Sequence, residues 1–139
     1  MKWLLIILAL FAGNLCAKEY GSVTVLEVTS IYDADTFRVN IVGWPPIIGE
    51  RVPIRLKGVD APEINGKCQS EKEAARKAKQ YTVQALRSAR SIELRNMERG
   101  KYFRVLSDVY MDGRNLSDAL IEAGYARSYD GGKRMGWCE

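Results

Sequence analysis

Two short acidic runs could do chemistry if the fold brought them together. Asp33-Ala34-Asp35-Thr36 opens one stretch of alternating apolar residues, and Asp60-Ala61-Pro62-Glu63 follows another. Alone, each has an ordinary structural reading. Asp33 and Asp35 suit a turn that makes Asx hydrogen bonds, and Asp60 with Pro62 and Glu63 has the form of a helix start. The second reading lacks its helix, because Ile64-Asn65-Gly66-Lys67 carries no apolar period. Gathered at the ends of paired strands, these carboxylates would instead make an all-oxygen site for a hard cation such as Ca²⁺. Arg55 precedes Asp60 in the same run, and Arg104 follows Tyr102 and Phe103. Either arginine alone reads as a solvated cross-strand partner. Beside a carboxylate-held metal, a guanidinium fork binds phosphate oxygens bidentately, which is the equipment of phosphodiester chemistry.

The 139-residue chain contains no histidine. That removes Ser-His-Asp and Cys-His catalysis and His-ligated zinc. Acid–base work falls to Asp, Glu, Lys, Tyr or Cys. With 21 basic residues against 17 acidic ones, the net charge of +4 gives a mild pull toward a polyanionic partner. The 47% hydrophobic and 27% charged fractions exclude disordered and low-complexity classes, and at this length one core is expected.

Met1-Lys2-Trp3 leads into an apolar run that ends at Gly13-Asn14, with Ala17 shortly after. One positive charge, a short apolar run and a small residue read as a signal peptide over residues 1–17; the run is too short to span a bilayer. The expected mature unit is a single domain over 18–139, exported to the periplasm or medium, monomeric and without stable membrane association. Processing after Ala17 removes Cys16 and leaves Cys68 and Cys138 as an even pair. In an oxidising compartment such a pair forms a disulfide, worth roughly 4 kcal/mol in the loop-entropy treatment. If the chain stays in a reducing compartment, two buried thiols are the alternative.

The elements that must position these groups follow from periodicity. Strands are expected over Ser22–Ser30, Thr36–Val42, Arg51–Lys57, Ile92–Met97 and Tyr102–Met111. Pro53 puts the third at an edge or a bulge. A helix is expected over Ser70–Ala89, buried along Ala74, Ala78, Tyr81, Ala85 and Ala89, with Ser70 and Glu73 as a capping box. Its basic residues read as a solvated face that attracts nucleic acid at long range. A second helix over Leu116–Ala123 is capped by Asn115 and closed by Gly124, an arrangement that argues against a simple hairpin at Asp112-Gly113. Three strands, a helix, two strands and a helix fit a mainly β (α+β) fold: a five-stranded OB-type Greek-key barrel with two to three helices.

At this point the pattern resembles the staphylococcal (micrococcal) nuclease family, over roughly Val23 to Arg127. The resemblance rests on D-A-D-T at Asp33–Thr36, R-L-K-G-V-D-A-P-E at Arg55–Glu63, K-Y-F-R at Lys101–Arg104, and the stretch from Met111 to Ala126. It implies a Ca²⁺-dependent nuclease acting on DNA, RNA or both. By that resemblance Asp35, Asp60 and the backbone carbonyl of Ala61 ligate Ca²⁺, and Glu63 activates or positions the attacking water. Arg55 and Arg104 clamp the phosphate, with Arg104 protonating the leaving oxygen, and Lys101, Tyr102 and Leu106 contact the nucleotide. Three residues depart from the family pattern. Ala34 stands for a common Gly, so a positive-φ turn there would be strained; Ala61 stands for a frequent Thr; and Phe103 stands for a Gly, adding bulk beside a clamp. A non-catalytic OB module that stacks single strands on Tyr102, Phe103 and Tyr129 is the competing reading, and a Ca²⁺-binding structural domain is a third.

Overall fold

The computed structural model describes residues 18–138. The signal-peptide reading of residues 1–17, including Cys16, lies outside the described residues. Among the described residues, eight strands and three α-helices follow one another: β1 (Val23–Asp33), β2 (Thr36–Ile41), α1 (Pro46–Gly49), β3 (Val52–Leu56), β4 (Val59–Asp60), α2 (Gln69–Ser88), β5 (Ile92–Arg99), β6 (Val105–Met111), β7 (Arg114–Asn115), α3 (Leu116–Glu122) and β8 (Arg127–Ser128).

Five strands close into a barrel. β1 pairs antiparallel with β2 and β5, β2 with β3, and β5 with β6, while β3 and β6 run parallel and shut the ring. This is the expected OB-type architecture, mainly β with helices. Alternation along β2 and β3 turns Phe37, Val39, Ile41, Val52, Ile54 and Leu56 inward, where Leu94 and Val109 meet them. Leu116 and Leu120 of α3 pack on the same cluster.

Four local expectations change. The closed barrel leaves β3 no free edge, yet Pro53 is tolerated because pairing with β6 begins only at Ile54. The strand expected from Tyr102 starts at Val105. Lys101–Phe103 form a tight turn instead, with Tyr102 and Phe103 at φ 57° and 60°, and Phe103 94% exposed. Asp112-Gly113 does close a short hairpin, pairing Met111 with Arg114. Asn115 ends that hairpin and also caps α3, its side chain accepting from the Ser117 and Asp118 amides; Gly124, at φ 78°, terminates the helix as expected.

The fourth change concerns α2. Cys68, not Ser70, is its N-cap, with no side-chain cap, so the capping box does not form; Glu73 takes a hydrogen bond from Gln69 instead. The buried stripe runs through Glu71, Ala75, Ala78, Thr82 and Leu86, rotated from the alanine pattern. Two polar residues cause the rotation. The Thr82 hydroxyl donates to the Ala34 carbonyl at 2.8 Å, and Glu71 accepts from the Lys67 amide at 2.9 Å. Gly66 is needed beside Glu71, because a Cβ there would lie 2.4 Å from the Glu71 side chain.

Thr82 thus ties the long helix to the turn between β1 and β2. Thr82→Val keeps the shape but leaves the buried Ala34 carbonyl unpaired. Denaturant unfolding is expected to show a loss of about 1–3 kcal/mol; an unchanged midpoint and slope would contradict this role.

Candidate active site

The turn Ala34-Asp35 joins β1 to β2, and neither residue has positive φ, so Ala34 in place of Gly brings no strain. The turn is held from behind by Thr82 and from below by the Leu56 amide, which donates to the Asp35 carbonyl at 2.9 Å. The Asp35 side chain therefore has a fixed origin. Its Oδ1 accepts from the Thr36 hydroxyl at 3.0 Å. Its Oδ2 lies 2.5 Å from Arg55 Nη1 and accepts from the Ala61 amide at 3.3 Å. Arg55 sits opposite Thr36 in the β2–β3 register, which brings the two acidic runs together.

β4 follows β3 through the Lys57-Gly58 turn and pairs with β8, Asp60 opposite Arg127. Asp60 is buried, and Ala61 beside it is 2% exposed. Arg104 stands immediately before β6, whose Val105 and Leu106 align with Ile54 and Arg55. The side chains of Asp33, Asp35, Arg55, Glu63 and Arg104 line one cleft of about 320 Å³. Asp60 adjoins it through Arg134, which also lines the cleft. A neighbouring groove of about 490 Å³ is lined by Tyr32, Arg38, Pro53 and Tyr102 and shares Arg104 with the cleft. Leu106 is half-buried beside Arg55, and Lys101 is exposed at the start of the tight turn; neither lines the cleft, and neither does Phe103.

Burial, with the Asp35 carboxylate beside it, pushes the Asp33 carboxyl up to about 7, although Arg55 pulls the other way. Asp33 Oδ1 is buried without a hydrogen-bond partner, and so is Arg104 Nε. An unpartnered carboxylate oxygen beside two further buried acids is what a hard cation would relieve. An unpartnered guanidinium N–H in the same cleft suits an anionic oxygen. The donor set thus fits a calcium-type ion and a phosphate.

A family model for staphylococcal nuclease homologues matches residues 53–135. The chain belongs to the staphylococcal nuclease homologue family. The matched span carries Arg55, Asp60, Glu63 and Arg104, while the Asp33–Thr36 turn of this nuclease homologue precedes it. No curated protein matches the chain.

Reading of the sequence missed several residues of this family member's site. Arg134 reaches Asp60 through Nε at 2.7 Å and Nη2, and Glu63 through Nη1 at 2.6 Å. Burial opposes its charge, but the hydrogen bonds to Glu63 and Asp60 prevail and raise its pKa above the ordinary arginine value. Trp137 Nε1 donates to Asp60 Oδ2 at 3.1 Å. Both lie in a tail without period, so only their types could have flagged them. The tail is fastened by the expected bond between Cys68 and Cys138, with an S–S distance of 2.08 Å.

The Asp33 carboxyl gives the cation-free protein a defined pH response. An acid whose folded pKa exceeds its unfolded value stabilises the fold below the unfolded value, here 3.8, and loses that contribution as pH rises toward about 7. In chelator, Asp33→Asn is expected to flatten this decline, so the variant gains on the parent at pH 8 relative to pH 4. Denaturant unfolding at both pH values checks it; a constant difference between the proteins would refute it.

Proposed function

We propose that this protein is an exported, Ca²⁺-dependent nuclease that hydrolyses phosphodiester bonds of DNA, RNA or both, working as a monomer. The observation that carries the reading is the meeting of Asp35, Arg55, Glu63 and Arg104 at one cleft, in a chain of this family, with Asp60 beside them. Asp35, Asp60 and the Ala61 carbonyl would hold the ion. Bound there, calcium neutralises phosphate charge and polarises a phosphoryl oxygen.

The chain's own groups do the rest. Arg55 and Arg104 donate to the phosphate oxygens and stabilise the charge that grows as the phosphorus gains a fifth oxygen. Arg104 Nε, without a protein partner, is a free donor for this purpose. Glu63 orients a water and takes its proton as the new P–O bond forms. The bond to the leaving sugar oxygen then breaks; that oxygen, held by Arg104, takes a proton from solvent water, and Glu63 returns its own proton to solvent. Asp35 keeps Arg55 oriented through their 2.5 Å contact. Lys101, Tyr102 and Leu106 are assigned to the nucleotide, and the exposed Tyr102 offers a ring for a base beside the clamp.

Export is supported by the leader-like residues 1–17 and by the disulfide, a bond that persists in oxidising compartments. Among the described residues no helix is long and apolar enough to cross a membrane.

Hydrolysis of single- and double-stranded DNA and of RNA, with calcium and with chelator, tests the proposal. Activity is expected with calcium alone, and Glu63→Gln or Arg55→Ala each to lower kcat by about 10²-fold or more. Full activity in chelator, or in the double variant, rejects the mechanism. Binding without cleavage under any metal would make the protein an OB-type strand binder instead.

A further inference from the structure

The C-terminal segment after β8 has an unusual relation to the acids. It is fastened at both ends: the Tyr129 amide donates to the Gly58 carbonyl at 2.9 Å next to β8, and Cys138 is bonded to Cys68 just before α2. Between these ties no residue from Arg127 to Cys138 is buried. The segment packs back on β8, whose Arg127 lies 3.7 Å over the Trp137 ring and donates to the Gly136 carbonyl at 2.8 Å. Its other side-chain hydrogen bonds to the barrel fall on the acids. Arg134 takes Asp60 Oδ1 and Glu63 Oε1, and Trp137 takes Asp60 Oδ2.

Both oxygens of Asp60 are therefore committed, and Glu63 is ion-paired. A hard cation is bound through the same carboxylate lone pairs. Ligation by Asp60 and the bidentate fork of Arg134 exclude each other, as do proton uptake by Glu63 and its contact with Arg134. Resting on the calcium reading above, we infer that the segment from Tyr129 to Cys138 is a strap that carries a built-in competitor for the cation. Arg134 holds Asp60 and Glu63 as a guanidinium stand-in until calcium displaces it. The Cys68–Cys138 bond keeps the effective concentration of Arg134 high at the site. Within residues 129–138 only Tyr129 and Trp137 are half-buried and none is buried, so lifting the strap leaves the barrel core in place.

Calcium titration calorimetry on the oxidised chain, on Arg134→Gln and on the paired variant Cys68→Ser with Cys138→Ser tests this. The Arg134 side chain is 43% exposed, so its replacement leaves the core untouched. Calcium is expected to bind Arg134→Gln at least ~10-fold more tightly than the parent, equivalent to ~1.4 kcal/mol, and the unbridged variant also more tightly. In the parent, amide hydrogen exchange over residues 129–138 is expected to rise when calcium saturates. Equal or weaker binding by Arg134→Gln, or a strap whose exchange ignores calcium, overturns the inference and leaves the calcium site standing. A gain confined to Arg134→Gln retains the competitor and removes the bridge from the device. Absence of calcium binding in all three proteins removes the calcium reading and the strap together.

Discussion

Carboxylates crowded at one end of a small barrel repel one another, and every other feature of the site is an answer to that repulsion. Asp33, Asp35, Asp60 and Glu63 come from two runs that the β2–β3 register draws together. Partial burial makes their mutual repulsion stronger than it would be in water; at Asp33, burial first and the Asp35 carboxylate second raise the carboxyl's pKa. Guanidinium groups from three distant segments supply the opposing charge: Arg55 at Asp35, Arg134 at Asp60 and Glu63, and Arg104 on the cleft wall with an Nε unpartnered.

Two halves of the site differ in how firmly they are built. The Asp35 half is anchored in the core. Thr82 reaches across from α2, Leu56 reaches up from β3, and Ala34 is fully buried between them. Moving Asp35 would mean moving the barrel. The Arg134 half rests on polar contacts from a tail with no buried residue and on one covalent bond. Rigid acids facing a lightly held cationic side chain are suited to exchange of one cation for another without disturbing the fold.

Much of the fold was legible because alternation and helical period are local properties. The strands around Phe37-Val39-Ile41 and Val52-Ile54-Leu56 read correctly, as did the caps of α3 at Asn115 and Gly124. Misreadings arose where distant polar groups set the outcome. The α2 stripe turned toward Thr82 and Glu71 because their partners, the Ala34 carbonyl and the Lys67 amide, lie outside the helix. The start of β6 was misplaced because Tyr102 and Phe103 have strand-like side chains in a left-handed turn. Arg134 and Trp137 went unread because a tail without period carries no signal of what it will touch.

From its residues alone, this chain determined the chemistry at its disposal: no histidine, carboxylates at strand ends, arginines within reach, an even cysteine pair after the leader-like run. Barrel closure decided which of those groups meet, because the parallel pairing of β3 with β6 brings Arg55 and Arg104, just before β6, to one cleft across a long stretch of sequence. The disulfide and β8 decided the rest by bringing an unpatterned tail onto Asp60. Composition and period are properties of neighbours along the chain, whereas charge pairing depends on distance in space.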